Sequence, residues 1–455
     1  MASTTPTAPY AALRFFEQHS HVEFVYYHWT DMSGVLRVRA LPKSYALKLA
    51  TENKPLKAGA FALIGLMSSS TLPKGFRPGS ASAICPDWSS LRAVRTGFAS
   101  VICNVSEEYA CHADTDPTKP FDRCPRSGLQ NIIHLAKIQH GLSFLVGLEL
   151  EFYLMTNEDL KDALNDAAPT AYNHWSTASG MRDVRADCLE DCVKALQRSE
   201  IEVQQFHAEP GRHMYEIATG PLSALEALDT WTQTLEIVKR TARDHGLQAT
   251  FLPKPFSTLY CLGQHVHLSI HSSGVSTAVC GQIEEHFLAG ILHRLPLLCN
   301  FGMPSQDSYR RFEPFALAPW VSWGTENRDA AIRKMKKGHW ELRTVDATAN
   351  LYLVVATFIA AGLLGVREKQ HLRWKDHREF LARMDEVALK EAGIDTPLPR
   401  SLQEALDLPS RDLMGLDSLV GEKLLKFHMM VKEKEQIYLS NLTAEEKKIL
   451  YFDNF

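Results

Sequence analysis

SFLVGLELEFYLM, residues 143–155, decides the fold. Leu148, Leu150 and Phe152 alternate with Glu149 and Glu151. Side chains of a strand alternate between faces, so the segment predicts a long strand with two carboxylates on one face and an apolar stripe on the other. The same spacing returns twice. In GQHVHLSI, residues 263–270, His265 and His267 are separated by Val266 and followed by Leu268. In HWELRTVD, residues 339–346, Glu341 and Arg343 alternate with Trp340 and Leu342. Taken singly, each pair also suits a solvated strand face or a surface ion pair. Together with Glu209 and Glu216, which flank the Pro210-Gly211 turn signal, they predict one concave face that gathers carboxylates and imidazoles.

Five carboxylates on one face repel. At about 5 Å and an effective dielectric near 20, each pair costs roughly 3 kcal/mol. Such a cluster must protonate, stay solvated or hold cations. A ligand set dominated by oxygen, with a single imidazole and no thiolate nearby, favours Mg²⁺ or Mn²⁺ over zinc. Two such ions suit a nucleotide triphosphate. Arg310, Arg311, Arg328, Arg333 and Arg343 supply the complement, because guanidinium forks bind carboxylate and phosphate bidentately.

Further from this nucleus, residues 22–42 (VEFVYYHWTDMSGVLRVRALP) predict two strands joined by a turn over Asp31-Met32-Ser33-Gly34, and short strands are expected at Ala83–Cys85 and Ala99–Val105. Residues 112–127, rich in Asp, Pro and Lys and without a period, mark a domain boundary. A helix over 184–199 would put Val184, Cys188, Cys192 and Leu196 on one face, and an amphipathic helix over 222–245 would end at Gly246. The tail from Glu386 reads as helical, with a start signal in LPRSLQEALD.

Composition excludes other classes. Of 455 residues, 45% are hydrophobic and 22% charged, which is ordinary for a globular chain rather than a disordered one. With 49 Lys+Arg against 53 Asp+Glu there is no basic surplus for nucleic acid. The longest apolar stretch, Leu351 to Val366, is shorter than the roughly 20 residues of a bilayer span and is expected to be a buried helix. No secretory leader is read in the first residues. The nine scattered cysteines show no zinc-type spacing, so a reduced, cytoplasmic setting is expected.

Ordered motifs complete the reading. Thr30-Asp31-Met32-Ser33-Gly34, Glu149-Leu150-Glu151, Ala249-Thr250-Phe251-Leu252-Pro253-Lys254-Pro255, His265 to Ser269, Trp323-Gly324 with Asn327-Arg328, Ile332-Arg333, and Glu341-Leu342-Arg343 leading into 346–353 follow one another. In these the chain resembles the glutamine synthetase superfamily, class I-like, over nearly its whole length. QFHAEPGRHMYEIATGP (205–221) and HWELRTVDATANLYL (339–353) are most similar to the glutamine-synthetase-like domain of fungal developmental-signal proteins, a γ-glutamyl amide ligase type.

The resemblance implies an α+β fold: a small N-terminal β-grasp domain over 20–111 and a larger catalytic domain over 120–455 with a curved antiparallel sheet and helices. It implies a homo-oligomer of stacked rings, decamer or dodecamer, with sites between subunits. It implies ATP and two to three Mg²⁺ or Mn²⁺. Glu151, Glu209 and Glu216 would hold one metal and Glu149, His265 and Glu341 the other. His267, Ser269, Arg333 and Lys336 would face the nucleotide; Arg311 and Gly263 would bind the acid. Arg328 and Arg343 would stabilise the transferring phosphate, and Asp31, reaching into a neighbouring subunit, would orient the amine. ATP would phosphorylate a carboxylate and an amine would displace the phosphate, giving an amide. Partners would be small acids and amines, with neither nucleic acid nor membrane.

The chain departs from that pattern where the amine is chosen. Counted from Arg311, the family's flap glutamate falls at Leu317; its Asn-Gly before the His pair reads Tyr260-Cys261; a Gln position holds Met214; and His339 stands where an Arg is common. These changes suggest an amine larger and less polar than ammonia. The alternative is a weakly active or inactive oligomeric scaffold or signalling protein, favoured by the missing glutamate and opposed by a complete ligand set. A kinase that stops at phosphoryl transfer is opposed by the N-terminal region that carries Asp31.

Overall fold

The computed structural model describes residues 8–66, 81–107, 123–164, 175–256, 260–272, 277–313, 316–408 and 413–455. Six strands build an N-terminal sheet: β1 (Phe24–Thr30), β2 (Leu36–Pro42), β3 (Leu56–Gly59), β4 (Ala81–Pro86), β5 (Arg92–Arg95) and β6 (Phe98–Glu107). Their order is β2-β1-β6-β4-β3, with β5 on β6; β1 and β6 run parallel and the other pairs antiparallel. The β1–β2 hairpin forms because Val25, Tyr27 and Trp29 alternate into the core while the turn over 31–34 closes the register Thr30↔Leu36.

The larger sheet has nine strands: β7 (Leu142–Met155), β8 (Val203–Ala208), β9 (Met214–Thr219), β10 (Leu222–Ser223), β11 (Gln248–Thr250), β12 (Val266–Ser272), β13 (Trp323–Thr325), β14 (Ile332–Lys336) and β15 (His339–Leu342). The order is β13-β14-β15-β12-β7-β9-β8, with β10 and β11 against the ends of β7. All pairs are antiparallel except β13–β14. Leu148, Leu150, Phe152, Ile217, Val266, Leu268 and Leu342 are buried in the core. Phe287, from helix Thr277–Gly302, stacks on Trp340 of β15 with ring centroids 6.0 Å apart.

Helix Leu351–Glu368 is, among the described residues, the one long and apolar enough to cross a bilayer, and it is a core helix: every residue from Leu351 to Gly365 is buried. Each fully buried Leu, Ile or Phe contributes about 1.5–3 kcal/mol. It crosses helix Thr277–Gly302 at glycines. A Cβ on Gly290 would meet the Ala361 carbonyl oxygen at 2.3 Å, and one on Gly365 the His286 carbonyl oxygen at 2.2 Å, so any side chain there separates the helices.

Ion pairs carried on helices anchor them to the N-terminal sheet and its loops. Arg126, in helix Pro125–His140, holds Asp87 at 2.6 Å and Asp229 at 2.6 Å. From helix Glu422–Ser440, the buried Glu435 accepts from the Leu66 amide at 2.7 Å and from the Ser33 hydroxyl, and is neutralised by Lys432 at 2.8 Å. Removing one partner of such a pair costs about 3–5 kcal/mol.

Three expectations meet the structure differently. The N-terminal layer begins at helix Ala8–Gln18, before residue 20, because Ala12 and Phe16 pack into the same core. The expected boundary lies outside the described residues up to 122, and Pro125–Ser127 already belong to the next helix. Helix Val184–Arg198 buries Cys188, Cys192 and Leu196 but leaves Val184 76% exposed, because a spacing of four drifts around the helix and Leu189 and Val193 complete the buried face.

Candidate active site

Register brings the alternating residues together. Glu151 lies opposite Glu216 across β7–β9, and Glu216 opposite His207 across β8–β9. On the other flank of β7, His267 lies opposite Glu341, and Glu341 opposite Arg333. Between these rows the Glu149 amide donates to the His265 carbonyl at 3.2 Å. Glu209 follows β8 and is fixed by its own amide, which donates to the Met214 carbonyl at 2.9 Å across the turn.

Two ligand groups result. Glu149, His265 and Glu341 offer atoms within 4.8 Å of one another, and so do His207, Glu209 and Glu216. Glu151 stands between them. Its Oε1 is 3.3 Å from His265 Nδ1, and its Oε2 accepts the Gly263 amide at 2.7 Å. His265 Nδ1 also faces Glu149 at 3.1 Å and Glu341 at 3.4 Å. Sequence reading assigned Glu151 to the group of Glu209 and Glu216 and foresaw a single imidazole; the sheet adds His207 to that group. The missed signal was the one used elsewhere, since His207 and Glu209 are also two apart at a strand end.

The charges are strained as expected for such proximity. Burial, then the charge of Glu216, pushes Glu151 up to about 8; burial, then Glu151 and Glu216, pushes Glu209 up to about 8. Burial also opposes ionisation of Glu149 and Glu341, but hydrogen bonds from His265 and His267 hold Glu149 well below the usual carboxylate range, and Arg343 and His265 hold Glu341 at about 2. An oxygen-rich donor set whose members resist sharing charge fits hard divalent cations. When bound, they would offset negative charge on phosphate and carboxylate oxygens.

A cleft of about 420 Å³ opens over this face, lined by Glu149, Glu151, Glu209, Glu216, Gly263 and His265 and by Arg311, Arg328 and Arg343. Arg311 is buried; its Nη2 donates to the Arg343 carbonyl at 3.0 Å, while Nε and Nη1 have no hydrogen-bond partner. Arg343 pairs with Glu341, and its Nη2 donates to the Ala316 carbonyl at 3.3 Å. Arg328 is exposed at the mouth, 5.4 Å over the Trp175 ring, and Trp175 Nε1 donates to Glu209 Oε1 at 3.2 Å. Leu317 is 2% exposed and lines the cleft with Tyr260 and Cys261, and Glu313, paired with Lys254, lies in the same wall.

Gly263 cannot carry a side chain without moving a ligand: a Cβ there would lie 2.4 Å from His265 Nε2. Gly263→Ala is expected to weaken Mg²⁺ binding about 10–100-fold by displacing that imidazole, as measured by metal titration.

The remaining candidates fall away from the cleft. His267 Nε2 meets Glu149 Oε1 at 3.0 Å and its Nδ1 meets His339 Nε2 at 3.0 Å. Arg333 spans Glu341 at 2.9 Å and Glu326 at 2.5 Å. Ser269 and Lys336 both lie opposite His339, one row beyond the cleft lining. Asp31 lies apart from the lining of this chain's cleft. It is fully buried, its Oδ1 accepts the Ser33 and Val35 amides at 2.9 and 3.1 Å, and its Oδ2 accepts from Arg37 Nε at 2.8 Å. Burial, opposed by Arg37, pushes it up to about 6. Within the single chain this carboxylate closes its own hairpin turn.

The family profile described as the glutamine synthetase catalytic domain matches residues 122–448. The chain belongs to the glutamine synthetase family. Protein fluG of Emericella nidulans is 30% identical over 96% of this chain and 49% of its own length, so the chain spans about half of that relative. Gamma-glutamylpolyamine synthetase GlnA3 of Streptomyces coelicolor is 30% identical over 64% of the chain and 65% of its own length. The glutamine synthetase of Methanocaldococcus jannaschii is 29% identical over 92% of the chain and 93% of its own length. Among solved structures, the GmaS/ADP complex superposes with a TM-score of 0.78 at 22% identity, covering 96% of this chain and 98% of the other, which shows the shared glutamine synthetase fold.

Proposed function

We propose that the protein is an ATP-dependent acid–amine ligase that forms an amide through an acyl phosphate, and that its amine is larger and less polar than ammonia. One observation carries the reading: two ligand groups, Glu149–His265–Glu341 and His207–Glu209–Glu216, share one face with Glu151 between them and arginines above. Glu149, His265 and Glu341 would hold one divalent cation and His207, Glu209 and Glu216 another, with Glu151 reaching both. Arg311, whose Nε has no hydrogen-bond partner and whose Nη1 lies 4.0 Å from Asp346 Oδ2, would hold the acid's carboxylate; the acid is glutamate or a relative. Arg328 and Arg343 would stabilise charge growing on the transferring phosphoryl group. The reading carries self-association with it, checked by sedimentation.

The amine end supports the organic nucleophile. Leu317 brings no charge for a small cation, and Trp175 and Tyr260 offer exposed aromatic surface at the cleft. The assay is phosphate release from ATP with glutamate and a panel of amines; ammonia outperforming every organic amine overturns the reading. Leu317→Glu is expected to shift the ratio of kcat/KM for ammonia over an organic amine by about 10–100-fold toward ammonia, the effect of one carboxylate about 6 Å from a cation at an effective dielectric near 20. Leu317 and the two arginines already spent on Glu341 favour a second reading, an ATP-binding protein without turnover. Nucleotide binding with no phosphate release under any acid–amine pair selects it.

A further inference from the structure

Between the N-terminal sheet and helices Val184–Arg198 and Ala224–Asp244 lies a cavity of about 610 Å³, larger than the ligase cleft and sharing none of its residues. Its volume is that of a small-molecule site, and interfaces between domains are where such sites concentrate. Its carboxylates are already neutralised. Asp191 pairs with His245 at 3.1 Å and Lys194 at 3.0 Å, Glu236 with Arg240 at 3.3 Å, and Asp244 with Arg243 at 3.0 Å.

Its cations are not all matched. Among the described residues, Arg95 and Arg198 pair with no carboxylate. Arg95 lies 3.8 Å over the Phe98 ring, and its buried Nε has no hydrogen-bond partner. A guanidinium held over an aromatic ring at a cavity wall is oriented before a ligand arrives, and its fork matches a carboxylate or a phosphate. The floor is polar and neutral: His28 Nδ1 meets Ser100 Oγ at 2.8 Å, and Gln233 Nε2 donates to the Ser90 carbonyl at 3.0 Å. Arg92, outside the lining, bonds Gln233 at 3.0 Å and the carbonyls of Ser199 and Glu200 at 2.7 and 2.8 Å, which fixes Gln233 in the floor. Arg95 comes from β5 and Arg198 from the catalytic unit, so a ligand that takes both spans the two.

We propose that this cavity binds a small organic anion, a polycarboxylate or a phosphate ester, whose anionic oxygens are taken by Arg95 and Arg198 while its remainder meets the His28–Ser100–Gln233 floor. The site is independent of the ligase reading. It would couple the ligand to the packing of the two units, because an anion bound only when they are docked stabilises that arrangement.

Calorimetric titration of the full chain without nucleotide or metal tests it, with citrate and glycerol 3-phosphate as the carboxylate and phosphate probes. Saturable binding of one of them is expected, weakened at least 10-fold in Arg95→Ala and in Arg198→Glu. Arg198 is exposed, so its reversal leaves folding intact, and the melting midpoint of each variant verifies that. Arg328→Ala, at the exposed mouth of the ligase cleft, leaves the titration unchanged, whichever way the ligase assay falls. Absence of binding by both probes at millimolar concentration, binding that survives both cavity variants, or binding lost in Arg328→Ala overturns the site.

Discussion

Glu216→Gln is expected to lower kcat/KM for ligation about 10²–10³-fold while raising the melting temperature of the metal-free protein. The loss follows from position: Glu216 lies opposite both Glu151 and His207 on neighbouring strands, so it belongs to one ligand group and borders the other. An amide offers the cation a neutral oxygen in place of an anionic one, and weakening a fixed charge that stabilises a developing one costs factors of this size. The gain has the same origin. Burial and the charge of Glu216 push Glu151 up to about 8, so at neutral pH the apo protein spends folding energy on holding these groups together. Keeping Glu151 protonated at pH 7 costs roughly 3 kcal/mol, and removing the Glu216 charge relieves the part of it that burial does not cause. Magnesium-dependent phosphate release and calorimetry in chelator read the two effects. Unchanged activity removes Glu216 from the metal site; a lowered melting temperature makes it a structural residue.

Stability is expected to fall by about 4 kcal/mol between pH 7 and pH 5, about 2 kcal/mol from each of His28 and His428. Both are buried, 2% exposed. Burial lowers His28 from 6.5 to about 4 and, with the nearby charge of Lys432, His428 from 6.5 to about 3. His428 donates from Nδ1 to the Met32 carbonyl at 3.1 Å, while its buried Nε2 has no hydrogen-bond partner, and burial keeps the folded ring neutral. Their folded pKa values lie below the unfolded one. The stability they allow is therefore complete above pH 6.5 and is lost as pH falls toward 4, where the unfolded chain takes protons that the folded one refuses. Urea unfolding at the two pH values measures the slope, and His28→Gln and His428→Gln should each flatten it by half. An unchanged free energy at pH 5 overturns the assignment of both rings as buried and neutral.

Much of the site was legible because its signal is local. Two residues apart on a strand means one shared face whatever the strand pairs with, so Glu149/Glu151, His265/His267 and Glu341/Arg343 could be read without a neighbour in view. The same rule applied to His207 and Glu209 would have found the second imidazole. Asp31 is the opposite case. A motif names a position, but the fate of its carboxylate depends on Arg37 and two amides that close the turn around it. Val184 was misplaced because four residues exceed one helical turn, and only packing decides which edge of a helical face meets the core.

By itself, then, the chain's alphabet determined the class of fold, the strands with their polar faces, the buried helix Leu351–Glu368 and the family, since each depends on periods and spacings that need no partner. The tertiary structure decided register. It set Glu151 opposite Glu216, Glu341 between His267 and Arg333, and Glu151 between two ligand groups rather than in one. It also opened a second cavity between the units, with Arg95 and Arg198 drawn from segments 103 residues apart by number. Those are contacts between distant parts of the chain, set by the total packing energy and not by any local pattern.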